Sequence, residues 1–65
     1  MRDDQILDLL EHLGGAVLCW QVTCPNAWRS AAARDIIEMD YQTDCYVHPD
    51  AIAHDDGSYS MPSEE

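Results

Sequence analysis

Apolar side chains at Ile6, Leu9, Leu10 and Leu13, with Leu7 broadening the stripe, recur at the period of an amphipathic helix and predict one from Asp3 to Leu13. Its ends agree. Asp3 or Asp4 can cap the start, where the helix dipole favours a carboxylate, and Gly14-Gly15 supplies a left-handed stop. Asp8 and Glu11 fall three apart on the outward face, beside His12.

After the glycines, Ala16 to Thr23 is rich in β-formers and bounded by Gly15 and Pro25, which predicts a strand. Ala16, Leu18, Trp20 and Val22 would point one way, and Val17, Cys19, Gln21 and Thr23 the other. Both sets are substantially apolar, so the strand is expected to be central or covered on both faces. Cys24-Pro25-Asn26 breaks it, and Ala27 to about Met39 predicts a second helix with Asn26 or Pro25 at its start. Its stripe runs through Trp28, Ala32, Ile36 and Met39, with Arg34 and Glu38 spaced to pair on the exposed side. Tyr41 to His48 alternates as a strand that Pro49 ends. Asp56-Gly57 then signals a hairpin turn, with a short strand or single helical turn before it and an edge strand after it.

The order α-β-α-β-β predicts an α+β fold: two helices packed on one face of a small two- to three-stranded, mostly antiparallel sheet. A right-handed parallel crossover from Ala16 to His48 would make the sheet mixed. Residues 1–61 are expected to form a single domain and 62–65 a polar tail. A chain of 65 residues buries only about 60% of its unfolded surface, so its core is small.

Charge changes the picture most. Thirteen acidic side chains stand against three arginines and no lysine, a formal net charge of -10. A body this small cannot place its acids far apart, and their repulsion weakens the folded state unless a cationic partner turns it into attraction. Net negative charge also favours solubility, yet such surfaces mix both signs, and here the interspersing lysines are missing. The same charge repels nucleic acid and an anionic membrane surface. No segment has the apolar length to cross a bilayer, the start Met1-Arg2-Asp3-Asp4 is acidic where a secretory signal is basic, and three cysteines do not fit a disulfide framework. A cytoplasmic protein is expected.

Cys19, Cys24, Cys45 and His48 offer the sharpest other chemistry, a small zinc-binding or structural accessory module, with Cys45-x-x-His48 as its local spacing. Cys19 and Cys24, however, take opposite parities on the expected strand, and buried thiols pack as small hydrophobes. Cys45 with His48 or His54 supplies a nucleophile and base, but no oxyanion loop or nucleophile elbow accompanies them. Gly14, Gly15 and Gly57 form no phosphate loop. The chain therefore reads as a non-enzyme without cofactor. Trp20 and Trp28 both lie on apolar stripes and read as core anchors, whereas Tyr46 and Tyr59 read as exposed.

Asp35 and Glu38 lie three apart, Asp40 and Asp44 frame the following turn, and Asp50, Asp55 and Asp56 crowd the loop before the hairpin. Carboxylates four apart on a helix or two apart on a strand are spaced by about 6 Å, which approximates a row of backbone phosphates. In length, in charge, and in the acids Asp8, Glu11, Asp35, Glu38, Asp40, Asp44, Asp55 and Asp56 on a helix-and-sheet frame, the chain resembles the small acidic anti-CRISPR proteins of phages and mobile elements. The resemblance implies an inhibitor that mimics DNA and binds a basic DNA-binding protein, such as a subunit of a type I CRISPR surveillance complex. It would act in the host cell as a monomer or homodimer, with those eight acids as its partner-binding residues.

Overall fold

The computed structural model describes residues 1–62; the last three positions of the expected polar tail, 63–65, lie outside the described residues. The chain runs α1 (Asp3–His12), β1 (Ala16–Leu18), a 3-10 turn (Cys19–Gln21), α2 (Pro25–Ala33), β2 (Glu38–Asp40), β3 (Cys45–Val47), β4 (Ile52–Ala53) and β5 (Tyr59–Ser60). This is the α+β architecture that the sequence predicts, with five short strands in two antiparallel sheets where a single two- to three-stranded sheet is expected.

Helix α1 forms where the apolar period places it. Arg2, rather than either aspartate, is its cap residue, and the Arg2 N–H donates to Gln5 Oε1 at 2.8 Å, which leaves Asp3 and Asp4 in the first turn. The helix ends when the Gly15 N–H turns back to the Leu10 carbonyl at 2.8 Å. At Gly15 φ is +103°, and a Cβ there would stand 2.9 Å from that of Ala51, so both backbone conformation and space call for glycine.

The second helix is shorter than the sequence predicts, stopping at Ala33 instead of continuing to Met39. Asp35 adopts the left-handed conformation, φ 63°, and lets the Asp35 and Ile36 N–H groups return to the carbonyls of Ala32 and Ala31 at 3.1 and 2.9 Å. That is the closure glycine ordinarily provides; aspartate reaches it because its short polar side chain tolerates the left-handed region. The expected Arg34–Glu38 pair is therefore absent. Glu38 has left the helix for β2, and Arg34 binds Asp3 instead.

Strands β1, β3 and β2 form one sheet in that order, antiparallel throughout, so the parallel crossover does not occur. β1 is an edge strand, not a central one, and it ends at Leu18 where the expected strand ran on to Thr23. Of the strand expected from Tyr41 to His48, only Cys45–Val47 forms, because 41–44 is the turn that joins β2 to β3. Val17, Tyr46 and Met39 align across the sheet and face the helices. Ile6 and Leu10 of α1, Trp28 and Ala31 of α2, and Ile37 close the core around Tyr46. Burial of these side chains, about 1.5–3 kcal/mol each for the larger ones, is the main force holding the layers together. The Trp28 and Tyr46 rings lie 5.5 Å apart. Tyr46 is thus 6% exposed, not the exposed tyrosine expected, and Trp20, expected in the core, is 67% exposed.

Strands β4 and β5 form a separate antiparallel hairpin. Its loop closes with the Gly57 N–H donating to the His54 carbonyl and the His54 N–H to that of Ser58, and Gly57 has φ +87°. This is a three-residue hairpin loop with its glycine left-handed, the outcome signalled by Asp56-Gly57. The hairpin meets the sheet on the face opposite the helices through Tyr59, whose hydroxyl reaches Asp40 and which lines one recess with Val47.

Candidate functional site: the carboxylate surface beside strand β2

The turn after α2 and the short strand β2 set the geometry. The left-handed Asp35 directs the chain back across the end of α2, Ile37 enters the core, and Glu38 emerges as the first residue of β2. Asp35 and Glu38 thereby stand on the rim of one open cleft of ≈ 850 Å³, with Arg29 and Tyr41 also on its wall. Its inner surface is apolar, from Ala32, Ile37, Met39 and Tyr46, with Cys19 at one end. Glu38 also borders a second recess with Asp40 and Tyr59, so this edge strand forms an acidic ridge between two depressions.

The other expected site residues separate into groups. Asp44 closes the turn at 41–44 in the left-handed region, φ 57°, and its carbonyl accepts the Cys19 N–H at 2.8 Å. Asp8 and Glu11 are exposed on α1, on the helix side of the sheet, and Asp8 stands 3.9 Å from the His12 ring. Asp55 and Asp56 are exposed in the hairpin loop, which belongs to the opposite layer. The eight acids therefore form no single row. Asp35, Glu38, Asp40 and Asp44 gather around β2 and its following turn, while the α1 pair and the hairpin pair extend the negative surface elsewhere.

Two of the eight also hold structure. The Asp40 carboxylate accepts the Tyr59 hydroxyl and, at 2.9 Å, the Gln42 N–H. Its pKa lies below the ordinary aspartate value, chiefly because of the Tyr59 hydrogen bond and then the Gln42 amide. The Tyr59 phenol is shifted upward by the same bond. Asp56 accepts the Ser58 hydroxyl at 2.6 Å and the Ser58 N–H at 3.0 Å, and the hydroxyl is the leading cause of its lowered pKa. In both, the hydrogen bonds favour the ionised form.

Few cations answer this surface. Arg34 is committed to Asp3 at 2.7 Å and Arg2 approaches Asp4 at 3.4 Å. Among the described residues, Asp35, Glu38, Asp44 and Asp55 have no ion-pair partner within the molecule.

The residues considered for metal or nucleophilic chemistry are dispersed. Cys45 lies on the hairpin side of β3, its thiol directed to the Thr43 carbonyl at 3.6 Å. His48 follows three residues later at the opposite parity, buried, with Nδ1 accepting the Asp50 N–H at 3.0 Å. His54 pairs with Ser60 Oγ at 2.7 Å. Cys19 adjoins the core on the helix side, and Cys24 is exposed at the cap position of α2. Among the described residues no three histidine, cysteine or acidic side chains converge as a ligand set.

Sequence reasoning missed two exposed aromatics beside this surface. Trp20 lies on the 3-10 turn and Tyr41, 83% exposed, opens the turn after β2. Nothing in the local pattern separates Trp20 from a strand residue, since Val17 to Val22 keeps an unbroken β-forming composition. No protein-family model matches the chain, and neither a curated protein nor a solved structure matches it.

Proposed function

We propose that this chain is a non-enzymatic inhibitor that binds the basic DNA-binding surface of a host defence complex and so keeps target DNA from it. This is the role implied by its resemblance to small acidic anti-CRISPR proteins, and its place of action is the host cytoplasm. The supporting observation is the set of carboxylates around β2: among the described residues Asp35, Glu38 and Asp44 are exposed and form no ion pair. Two of the three arginines are paired elsewhere, and Arg29 shares the cleft wall with Asp35 and Glu38 without a salt bridge to either. A lysine- and arginine-lined groove shaped for phosphates attracts such a surface without any match to bases.

The test is capture of the partner from the natural host, followed by measurement of whether the captured protein still holds DNA. Binding is expected to weaken steeply between about 0.05 M and about 0.5 M salt, as the Debye length shrinks from over 10 Å to a few ångströms. Glu38→Lys, and Asp35→Asn with Asp44→Asn, are expected to weaken it further. Asparagine is chosen at the latter positions because it tolerates their left-handed backbone. Affinity that is flat across this salt range, or a captured protein that binds DNA as well as before, overturns the proposal.

A further inference from the structure

Strands β1 and β2 both end where β3 begins, since Leu18, Cys45 and Asp40 align in one row of the sheet. The 3-10 turn after β1 and the 41–44 turn after β2 consequently share one end of the molecule, and the bond from the Cys19 N–H to the Asp44 carbonyl fastens them together. That end carries Trp20 and Tyr41, the two most exposed large hydrophobic side chains among the described residues, at 67% and 83%. The strands that lead into these turns, β1 and β2, are two spacings apart across β3, about 10 Å, and Asp44 ends the 41–44 turn that enters β3. The cleft rimmed by Asp35 and Glu38 has Tyr41 on its wall, together with Arg29 and with Cys19, the residue before Trp20.

We infer that this Trp20–Tyr41 end of the sheet docks arginine side chains of the partner, in preference to lysine. The inference rests on the proposed function and specifies which face is used. A guanidinium is planar and weakly hydrated, stacks on aromatic faces, and presents paired N–H groups to a carboxylate; an ammonium does only the last of these, and as a point charge. Exposed tryptophan and tyrosine flanked by acids supply both halves of that recognition. Charge decides against the other occupants. Stacked bases of single-stranded nucleic acid would bring phosphates to a chain of net charge -10, and a second copy would bring the same charge.

The experiment titrates the full chain with oligoarginine and oligolysine of equal length at fixed salt, read by calorimetry and by tryptophan fluorescence. Trp20 is the exposed one of the two tryptophans, because Trp28 is fully buried. Oligoarginine is expected to bind about 3- to 10-fold more tightly. In the Trp20→Ala/Tyr41→Ala variant the two affinities converge, with that for oligolysine unchanged, and Trp20→Phe restores part of the preference. Both side chains are exposed, and circular dichroism confirms that each variant is folded. Equal affinities in the wild type, or a preference that survives the double substitution, overturn the inference while leaving the acidic-inhibitor reading intact. Failure of both peptides to bind in a salt-dependent manner overturns both.

Discussion

The guanidinium of Arg34 donates to both carboxylate oxygens of Asp3, at 2.7 and 2.9 Å, and so joins the end of α2 to the start of α1. Arg34 is itself steadied by Nε, which lies 3.2 Å from the Ser30 carbonyl and 3.3 Å from its hydroxyl. The bidentate bond to Arg34 is the leading cause that holds the Asp3 carboxyl below its ordinary pKa. A group lowered in this way contributes stability that is present above its unfolded value, near pH 4, and that is lost as pH falls through the folded value. Asp3→Asn is therefore expected to be less stable than the wild type at pH 6, with the difference closing below about pH 4. Denaturant melts of both proteins across this range check it. A gap independent of pH would show that Asp3 acts through something other than its charge.

Tyr59 and Asp40 connect the hairpin to the edge of the three-stranded sheet, 19 residues apart in sequence. Each strand of the hairpin has only two residues, and such a ribbon does not persist in water without support. Tyr59→Phe keeps the ring and removes the hydroxyl. The expected result is faster amide exchange across residues 52–60, with exchange in β1 and β3 little changed. Uniform loss of protection throughout the chain would instead make the hairpin part of one cooperative unit with the sheet.

Trp28 is fully buried, yet its indole N–H has no partner among the described residues. An unsatisfied buried donor costs about 1–3 kcal/mol, so part of what this side chain gains by burial is offset. Trp28→Ala is expected to cost about 3–5 kcal/mol. A chain of 65 residues has a total stability of roughly 3–10 kcal/mol, so this variant loses a large share of it and is unfolded if the total lies at the lower end. Trp28→Phe leaves a smaller cavity and removes the orphan donor, and its net cost should stay under about 2 kcal/mol. Chemical denaturation of the pair checks the ordering, and a phenylalanine variant as damaged as the alanine one would contradict it.

What could be read in advance depended on whether the deciding signal was local. Helix α1 was legible because an uninterrupted stripe ends at a glycine pair, and the hairpin because Asp56-Gly57 names its own turn. Strand β2 was not, because three residues with two acids among them, Glu38–Asp40, carry neither period nor β-propensity and pair only through β3. The side taken by Tyr46 was lost for another reason. Both parities of its segment mix polar and apolar residues, so the alternation gives no phase, and an error of one residue reverses the face. The acidic character of the surface was plain in the composition. Its gathering around β2, and the emergence of Trp20 and Tyr41 beside it, follow from where a helix stops and a strand bends, which are tertiary decisions.

Asp35 is the residue at which that hidden stop can be tested. A left-handed conformation costs a non-glycine residue about 1–2 kcal/mol, less for aspartate and asparagine, and glycine adopts it without strain. Its N–H and that of Ile36 already make the terminal bonds of α2, so the backbone geometry survives a change of side chain. Asp35→Gly is thus expected to raise stability by about 0.5–1 kcal/mol, a rise of some degrees in Tm for a domain of this size. Asp35→Ala should lower it by a similar amount, although it removes the same charge and has the higher helix propensity. Thermal melts of the two variants separate the causes. If alanine stabilised as much as glycine, relief of charge repulsion would be the operative effect, and a helix continuing through residue 35, as the apolar stripe to Met39 predicts, would again be the better description of this segment.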